Sequence, residues 1–77
     1  MKEPKFKVIR DKAPTLEEAQ KFVGGLVEIV YIPDGQLLCN EEGLFQPDPI
    51  TNIPASMIAE RMIVGDVMVL TEKALWT

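Results

Sequence analysis

Apolar and polar positions alternate from the start of the chain. In Lys5-Phe6-Lys7-Val8-Ile9-Arg10, Phe6 and Val8 fall on one face and Lys5, Lys7 and Ile9 on the other. That period of two predicts a half-buried strand whose lysines suit a solvent face or a sheet edge. After the break at Asp11-Lys12-Ala13-Pro14 the period changes. Leu16, Ala19, Phe22 and Val23 lie at helical spacing, which predicts a short helix over 16–23. Thr15-Leu16-Glu17-Glu18 has the form of a capping box, with the Thr15 hydroxyl on the Glu18 N–H and the Glu18 carboxylate reaching back. Its acids also sit at the positive end of the helix dipole. Gly24 supplies a left-handed C-cap and Gly25 a tight exit.

Leu26-Val27-Glu28-Ile29-Val30-Tyr31-Ile32 is β-branched and nearly all apolar, which predicts the strongest strand. Pro33-Asp34-Gly35-Gln36 follows, and Asp-Gly at its centre predicts a type I′ hairpin turn, with positive φ at both central residues. Leu37-Leu38-Cys39-Asn40 returns and ends in the polar turn Glu41-Glu42-Gly43. Leu44-Phe45 then reads as a short apolar touchdown or a further strand, and Gln46 to Asn52, with Pro47 and Pro49, as an ordered loop. Asn52 is an N-cap candidate with Pro54 in the first turn, and Ala55, Ile58, Ala59 and Met62 share a face of a helix over 53–61. Ile63 to Leu70 reads as the last strand, interrupted at Gly65-Asp66. Leu75 and Trp76, in the tail 71–77, pack back on the body or on a second copy.

The element order is β-α-β-β-α-β. It predicts one α+β domain over 1–77, with its core in 5–70 and a small, mostly antiparallel sheet covered by two short helices.

Composition narrows the chemistry. The 77 residues hold no His and one Cys, so the chain itself cannot build a Ser-His-Asp or Cys-His constellation, a zinc cluster or a disulfide framework. The longest apolar run is far short of a membrane span, and Met1-Lys2-Glu3-Pro4-Lys5 does not lead into a secretory h-region. With a lone thiol, a reducing cytoplasm is expected. Net charge is −4, which disfavours direct binding to nucleic acid backbone. The charge is also uneven: residues 22–60 carry six acids (Glu28, Asp34, Glu41, Glu42, Asp48, Glu60) and no base. A domain this small is marginal alone, so a homodimer is expected.

Each candidate site residue has a bland reading beside its functional one. Asn40-Glu41-Glu42-Gly43 is the densest polar cluster. Its acids could accept hydrogen bonds from a partner's arginines, or simply be solvated in a turn that Asn40 braces. Glu28 and Asp66 lie inside apolar strands, so an inward orientation would raise their pKa values, whereas an edge face or a bulge would leave them ordinary. Tyr31, with Asn40 on the facing strand, could line a ligand groove. Cys39 has no His to activate it and reads as a small buried hydrophobe. Met57, Met62 and Met68 read as core filler. The Leu75-Trp76 tail either closes the core or anchors a partner.

The order Thr15-Leu16-Glu17-Glu18, Gly24-Gly25, Val27-Glu28-Ile29-Val30, Asn40-Glu41-Glu42-Gly43-Leu44, Asn52 with Ala55-Ser56, and Ile63-Val64-Gly65-Asp66-Val67 resembles a family of small uncharacterised proteins common in bacteriophages and in bacteria carrying phage-derived genes. The resemblance covers residues 15–70. It implies a viral accessory protein acting inside a bacterial host and carries no catalytic residue or cofactor with it. The chain departs from the commoner pattern in a longer Gln46–Thr51 loop and in the Trp76 tail.

Three functions are therefore weighed. The first is a non-enzymatic binding module engaging a host or viral protein, with Glu41, Glu42, Asp48, Leu75 and Trp76 as first contacts. The second is a protein that sequesters a small molecule or nucleotide between subunits, in a pocket lined by Tyr31, Asn40 and the N–H groups near Gly24 and Gly25. The third is a metal-assisted hydrolase using Glu28, Glu41 and Asp66, which lack any diagnostic spacing.

Overall fold

The computed structural model describes residues 3–77; Met1 and Lys2, where the N-terminal reading begins, lie outside the described residues. Four strands form one mixed sheet: β1 (Phe6–Ile9), β2 (Val27–Ile32), β3 (Gly35–Asn40) and β4 (Val67–Thr71), in the order β1-β4-β3-β2. β2 and β3 make an antiparallel hairpin, and β3 pairs antiparallel with β4. β1 joins β4 in parallel, with Phe6 opposite Val67 and Ile9 opposite Leu70. The two ends of the chain thus meet side by side, and β1 and β2 are the sheet's edges.

Alternation along the central strands sorts side chains to two opposite faces. Leu37, Cys39, Val67 and Val69 point to one face, where Ala55 and Ala59 of helix α2 (Ile53–Ala59) pack with Ile63. Leu38, Met68 and Leu70 point to the other, covered by Ala19 and Phe22 of helix α1 (Leu16–Val23) and by Ala74 and Trp76. Both faces of this α+β sheet are therefore buried, which explains why β3 and β4 read as nearly continuous apolar runs.

Helix α1 has the predicted ends. Glu18 N–H donates to Thr15 Oγ1 at 3.1 Å, and Thr15 N–H donates to Glu18 Oε1 at 2.8 Å. Gly24 closes the helix at φ 84°, its N–H donating to Gln20 O. Asn52 caps α2 and does more. It is almost fully buried, and its Nδ2 donates to both Lys5 O and Gly65 O at 2.9 Å. One side chain thereby ties α2 to the chain entering β1 and to the chain entering β4.

Several expectations change. The hairpin turn is Pro33-Asp34, since Ile32 pairs with Gly35. Proline cannot adopt positive φ, so the arrangement is that of a type II turn, with Pro first and Asp34 at φ 68° second. Gly35 has a different job: a Cβ there would lie 2.5 Å from Leu70 O of the paired strand β4, so only glycine fits without displacing that backbone. Leu44-Phe45 is no strand or touchdown but part of a 3-10 turn (Gly43–Phe45) that leaves both side chains exposed. Helix α2 stops at Ala59, because Glu60 turns to φ 55°. Met62 consequently lies outside the helix and exposed, Ile58 is half-exposed, and Met57 faces solvent, leaving Met68 as the buried methionine of the expected three. The last strand begins at Val67; before it Gly65 takes φ 80° and Val64 bridges to Thr51. Glu28 does share a face with Val30 and Ile32 on an edge strand, yet that face is the one α2 covers.

Candidate functional site

The polar turn after β3 is built by Asn40. Its Oδ1 accepts from Glu42 N–H at 2.8 Å, and its Nδ2 donates to Val23 O at 3.2 Å. The amide therefore braces the turn and ties it to the end of α1. The 3-10 turn that follows sits directly on Val64: a Cβ at Gly43 would fall 2.7 Å from Val64 Cγ2. This close seat pushes Leu44 and Phe45 outward, and Phe45 is 85 % exposed.

Those side chains form one wall of a cleft of about 100 Å³. Met62, Ile63 and Val64 form another, and Glu28, Glu41 and Arg61 supply its charges. Arg61 Nη2 lies 3.3 Å from Glu28 Oε2, so that pair is internally matched, and among the described residues Glu41 is the unmatched charge of the lining. Cys39 lies at the cleft floor, buried, its Sγ donating to Glu28 O at 3.8 Å. Burial pushes the thiol pKa up, and the Glu28 carboxylate adds to the rise, with Arg61 opposing it. A thiol held protonated in this way is a poor nucleophile.

Asn40 and Gly43 also border a second, more open cleft of about 320 Å³, shared with Gly24, Asp48, Ile50, Gly65, Glu3 and Asp66. Among the described residues its charged lining is acidic. The glycine N–H groups offered by the sequence as ligand donors are already committed, since Gly24 N–H and Gly25 N–H both donate to Gln20 O. Asp66 is committed too, accepting from Lys5 N–H at 2.8 Å.

The predicted site residues fall into two groups on the molecule. Glu28, Asn40 and Glu41 come together at the cleft beside Phe45, with Glu42 next in the chain, and Asp48 lies on the adjoining open cleft. Tyr31 does not meet Asn40. Tyr31 pairs with Gln36 and Asn40 with Val27, at opposite ends of the hairpin, so no Tyr31–Asn40 groove forms within one chain. Trp76 closes the α1 face, its indole Nε1–H donating to Pro14 O at 2.8 Å, while Leu75 stays part-exposed. Glu28 and Glu41 share the cleft beside Phe45, but Asp66 lines the other one, so the hydrolase trio is not assembled. Among the described residues no group of three or more His, Cys, Asp or Glu is placed to hold a metal ion.

Sequence reasoning missed Arg61, Met62 and Phe45 as cleft residues. The one available signal was Gly43, because a glycine between a polar turn and an apolar pair marks a close backbone approach.

The sequence model of one protein family, described as a domain of unknown function (DUF3846), matches residues 1–74. The chain belongs to that family. The match spans both helices and all four strands, so the cleft, its bracing Asn40 and the Asn52 hub all lie within the family domain. The polar tail contact is split, with Gln36 inside the match and Trp76 beyond it. No curated protein and no solved structure matches the chain. Among the described residues no helix is long and apolar enough to cross a membrane.

Proposed function

We propose that the protein is a small non-enzymatic binding module of the phage accessory kind, engaging a viral or bacterial host protein through the cleft beside Phe45. The observation that carries this reading is the display of Leu44, Phe45 and Met62 around one cleft, each more than half exposed. A water-facing cluster of large apolar side chains on so small a domain is costly to keep and marks an interaction surface. Its charges favour a basic partner. Glu41 is unmatched in the cleft, Glu42 follows it, and Arg61 is engaged by Glu28. The fitting occupant is a segment with an aliphatic or aromatic anchor flanked by Arg or Lys.

The viral and host setting rests on the sequence resemblance. A reducing cytoplasm agrees with the free, buried Cys39. The homodimer expected from size is part of the same reading. An anionic nucleotide in the open cleft is disfavoured by its acidic lining and its committed glycine N–H groups.

A displayed peptide library selected on the purified protein tests the reading. Enriched peptides should combine a large apolar residue with flanking Arg or Lys. Phe45→Ser and Glu41→Lys should each lower binding about tenfold or more, as loss of a central anchor or a charge partner does. Both positions are solvent-facing, so thermal stability should hardly change. Selected peptides that bind Phe45→Ser as well as the parent would sink the proposal.

A further inference from the structure

We propose that β2 pairs with β2 of a second copy, joining two four-stranded sheets into one across a two-fold axis at Ile29. The pairing rests on the homodimer of the proposed function and gives it an interface, whereas the partner cleft beside Phe45 plays no part in it.

The pairing follows from where the backbone groups of the edge strand point. In the β2–β3 hairpin Ile32 closes against Gly35, and Glu41 N–H donates to Leu26 O at 2.8 Å. In an antiparallel ladder every second residue exchanges both its bonds with the partner strand. Leu26, Glu28, Val30 and Ile32 are therefore turned toward β3, while Val27, Ile29 and Tyr31 turn their N–H and C=O groups outward from the sheet.

Proteins usually blunt such an edge with lysine, proline, a bulge or short length. β1, the other edge, is four residues long and carries Lys7, with Lys5 and Arg10 at its ends. β2 is six residues long, has no proline and holds a single charge, Glu28. Glu28 is thus the one blunting feature within it.

A second copy fits this edge in one register. Centring the pair on Ile29 sets Val27 opposite Tyr31 of the partner subunit and Ile29 opposite itself, so all three outward residues exchange both bonds. Sliding the copies by one pair in either direction brings in Gly25 or Pro33. Gly25 N–H is already donated to Gln20 O at 3.0 Å, and Pro33 has no N–H.

The side chains agree with that register. Tyr31 is 75 % exposed and Leu26 58 % exposed, the two ends of the strand that this chain alone leaves bare. Across the two-fold axis Tyr31 meets Val27, and Leu26 meets Ile32, so each gains an apolar neighbour. The half-buried Val27, Ile29 and Val30 are covered in the same step. Glu28 faces Val30 rather than another Glu28, so no like charges stand opposite each other. A two-fold pairing is also closed, unlike a β2-to-β1 contact, which would propagate.

Sedimentation and amide hydrogen exchange on the purified chain test this. The expected mass is twice 8.6 kDa, and the N–H groups of Val27, Ile29 and Tyr31 should exchange more slowly as concentration rises. Val27→Lys with Tyr31→Lys sets like charges opposite each other and should yield the single-chain mass. Val27→Glu with Tyr31→Lys sets opposite charges face to face in this register and should restore the dimer. Circular dichroism confirms that each variant folds. A single-chain mass for the parent at every concentration overturns the proposal. So does fast exchange at all three N–H groups in a parent dimer, or a folded double-lysine variant that still dimerises. The exchange measurement uses the parent sequence, so it decides the matter even where a variant does not fold.

Discussion

The side-chain amide of Gln36 holds the backbone of Trp76 from both sides. Gln36 Nε2 donates to Trp76 O at 2.7 Å, and Trp76 N–H donates to Gln36 Oε1 at 2.7 Å. This reciprocal pair holds the segment around Trp76 as a lid on the α1 face, where the indole packs with Leu38, Met68 and Leu70. Gln36 is only 8 % exposed, so both of its bonds are made away from water, where a lost partner is felt in full.

Gln36→Ala should therefore release the tail. The expected cost is about 1–3 kcal/mol, the usual range when buried polar groups lose their partners. The chain has one Trp, so the emission spectrum reports on this residue alone. A red shift in the folded variant, together with a lower urea midpoint, is the predicted signature. An unshifted spectrum would mean that the indole is held by its packing and by the Pro14 carbonyl alone.

The same contact shows what a sequence can and cannot disclose. Thr15 with Glu18, Gly24, and Asn52 before Pro54 are local signals, because cap and helix lie within a few residues of each other. Each was legible and each is present. The strands were legible as well, since apolar runs depend only on burial. Gln36 and Trp76 are separated by 40 positions, and no local pattern pairs them. The same holds for Asn52 reaching Lys5, for Arg61 reaching Glu28, and for the parallel β1–β4 pairing that makes the sheet mixed. The cleft was half legible. Its acids stood out as charge, but the outward turn of Leu44 and Phe45 depends on how Gly43 seats against Val64, a distant neighbour in sequence. Hydrophobicity predicted burial for both residues, and backbone geometry overrode it.

Asn52 is the most sensitive polar position. It spends both amide hydrogens on Lys5 O and Gly65 O, and its Oδ1 accepts from Ala55 N–H at 3.3 Å. Asn52→Asp keeps the cap acceptor but sets a buried carboxylate against two carbonyl oxygens. The expected loss is about 3 kcal/mol or more at neutral pH. The introduced carboxyl would have its folded pKa raised, so the penalty should shrink as pH falls through that value and the group becomes a donor. Urea unfolding of parent and variant across the acid range measures this, the two curves converging toward low pH.

The hairpin turn offers a paired test. Asp34 holds φ 68°, a region that costs most residues about 1–2 kcal/mol. Asp34→Gly removes that strain but adds chain entropy to the unfolded state, so the net gain should be no more than about 1 kcal/mol. Gly35→Ala, by contrast, drives a methyl to within 2.5 Å of Leu70 O and should cost about 1–3 kcal/mol. A type I′ turn centred on Asp34-Gly35 would require positive φ at Gly35 instead. Comparable thermal midpoints for the two variants would contradict the turn described above.

The acid response of helix α1 follows from its cap. The Thr15 N–H, and then the Thr15 hydroxyl, hold the Glu18 carboxyl below its ordinary value of 4.5. A carboxyl whose folded pKa is depressed contributes stability that is complete above its unfolded pKa and lost as pH falls through the folded one. Fraying of residues 15–18 should begin only in that acid window, because a protonated Glu18 accepts less strongly from Thr15 N–H. Glu18→Gln retains an acceptor at the same place without a charge, as a capping box permits. The variant should therefore be slightly less stable than the parent near neutral pH and lose the acid-dependent step at this helix end. Amide chemical shifts of Thr15 and Glu18, followed through an acid titration, should report an inflection below 4.5 in the parent and none in the variant. An inflection at or above the ordinary value would show that the reciprocal cap is not formed in solution.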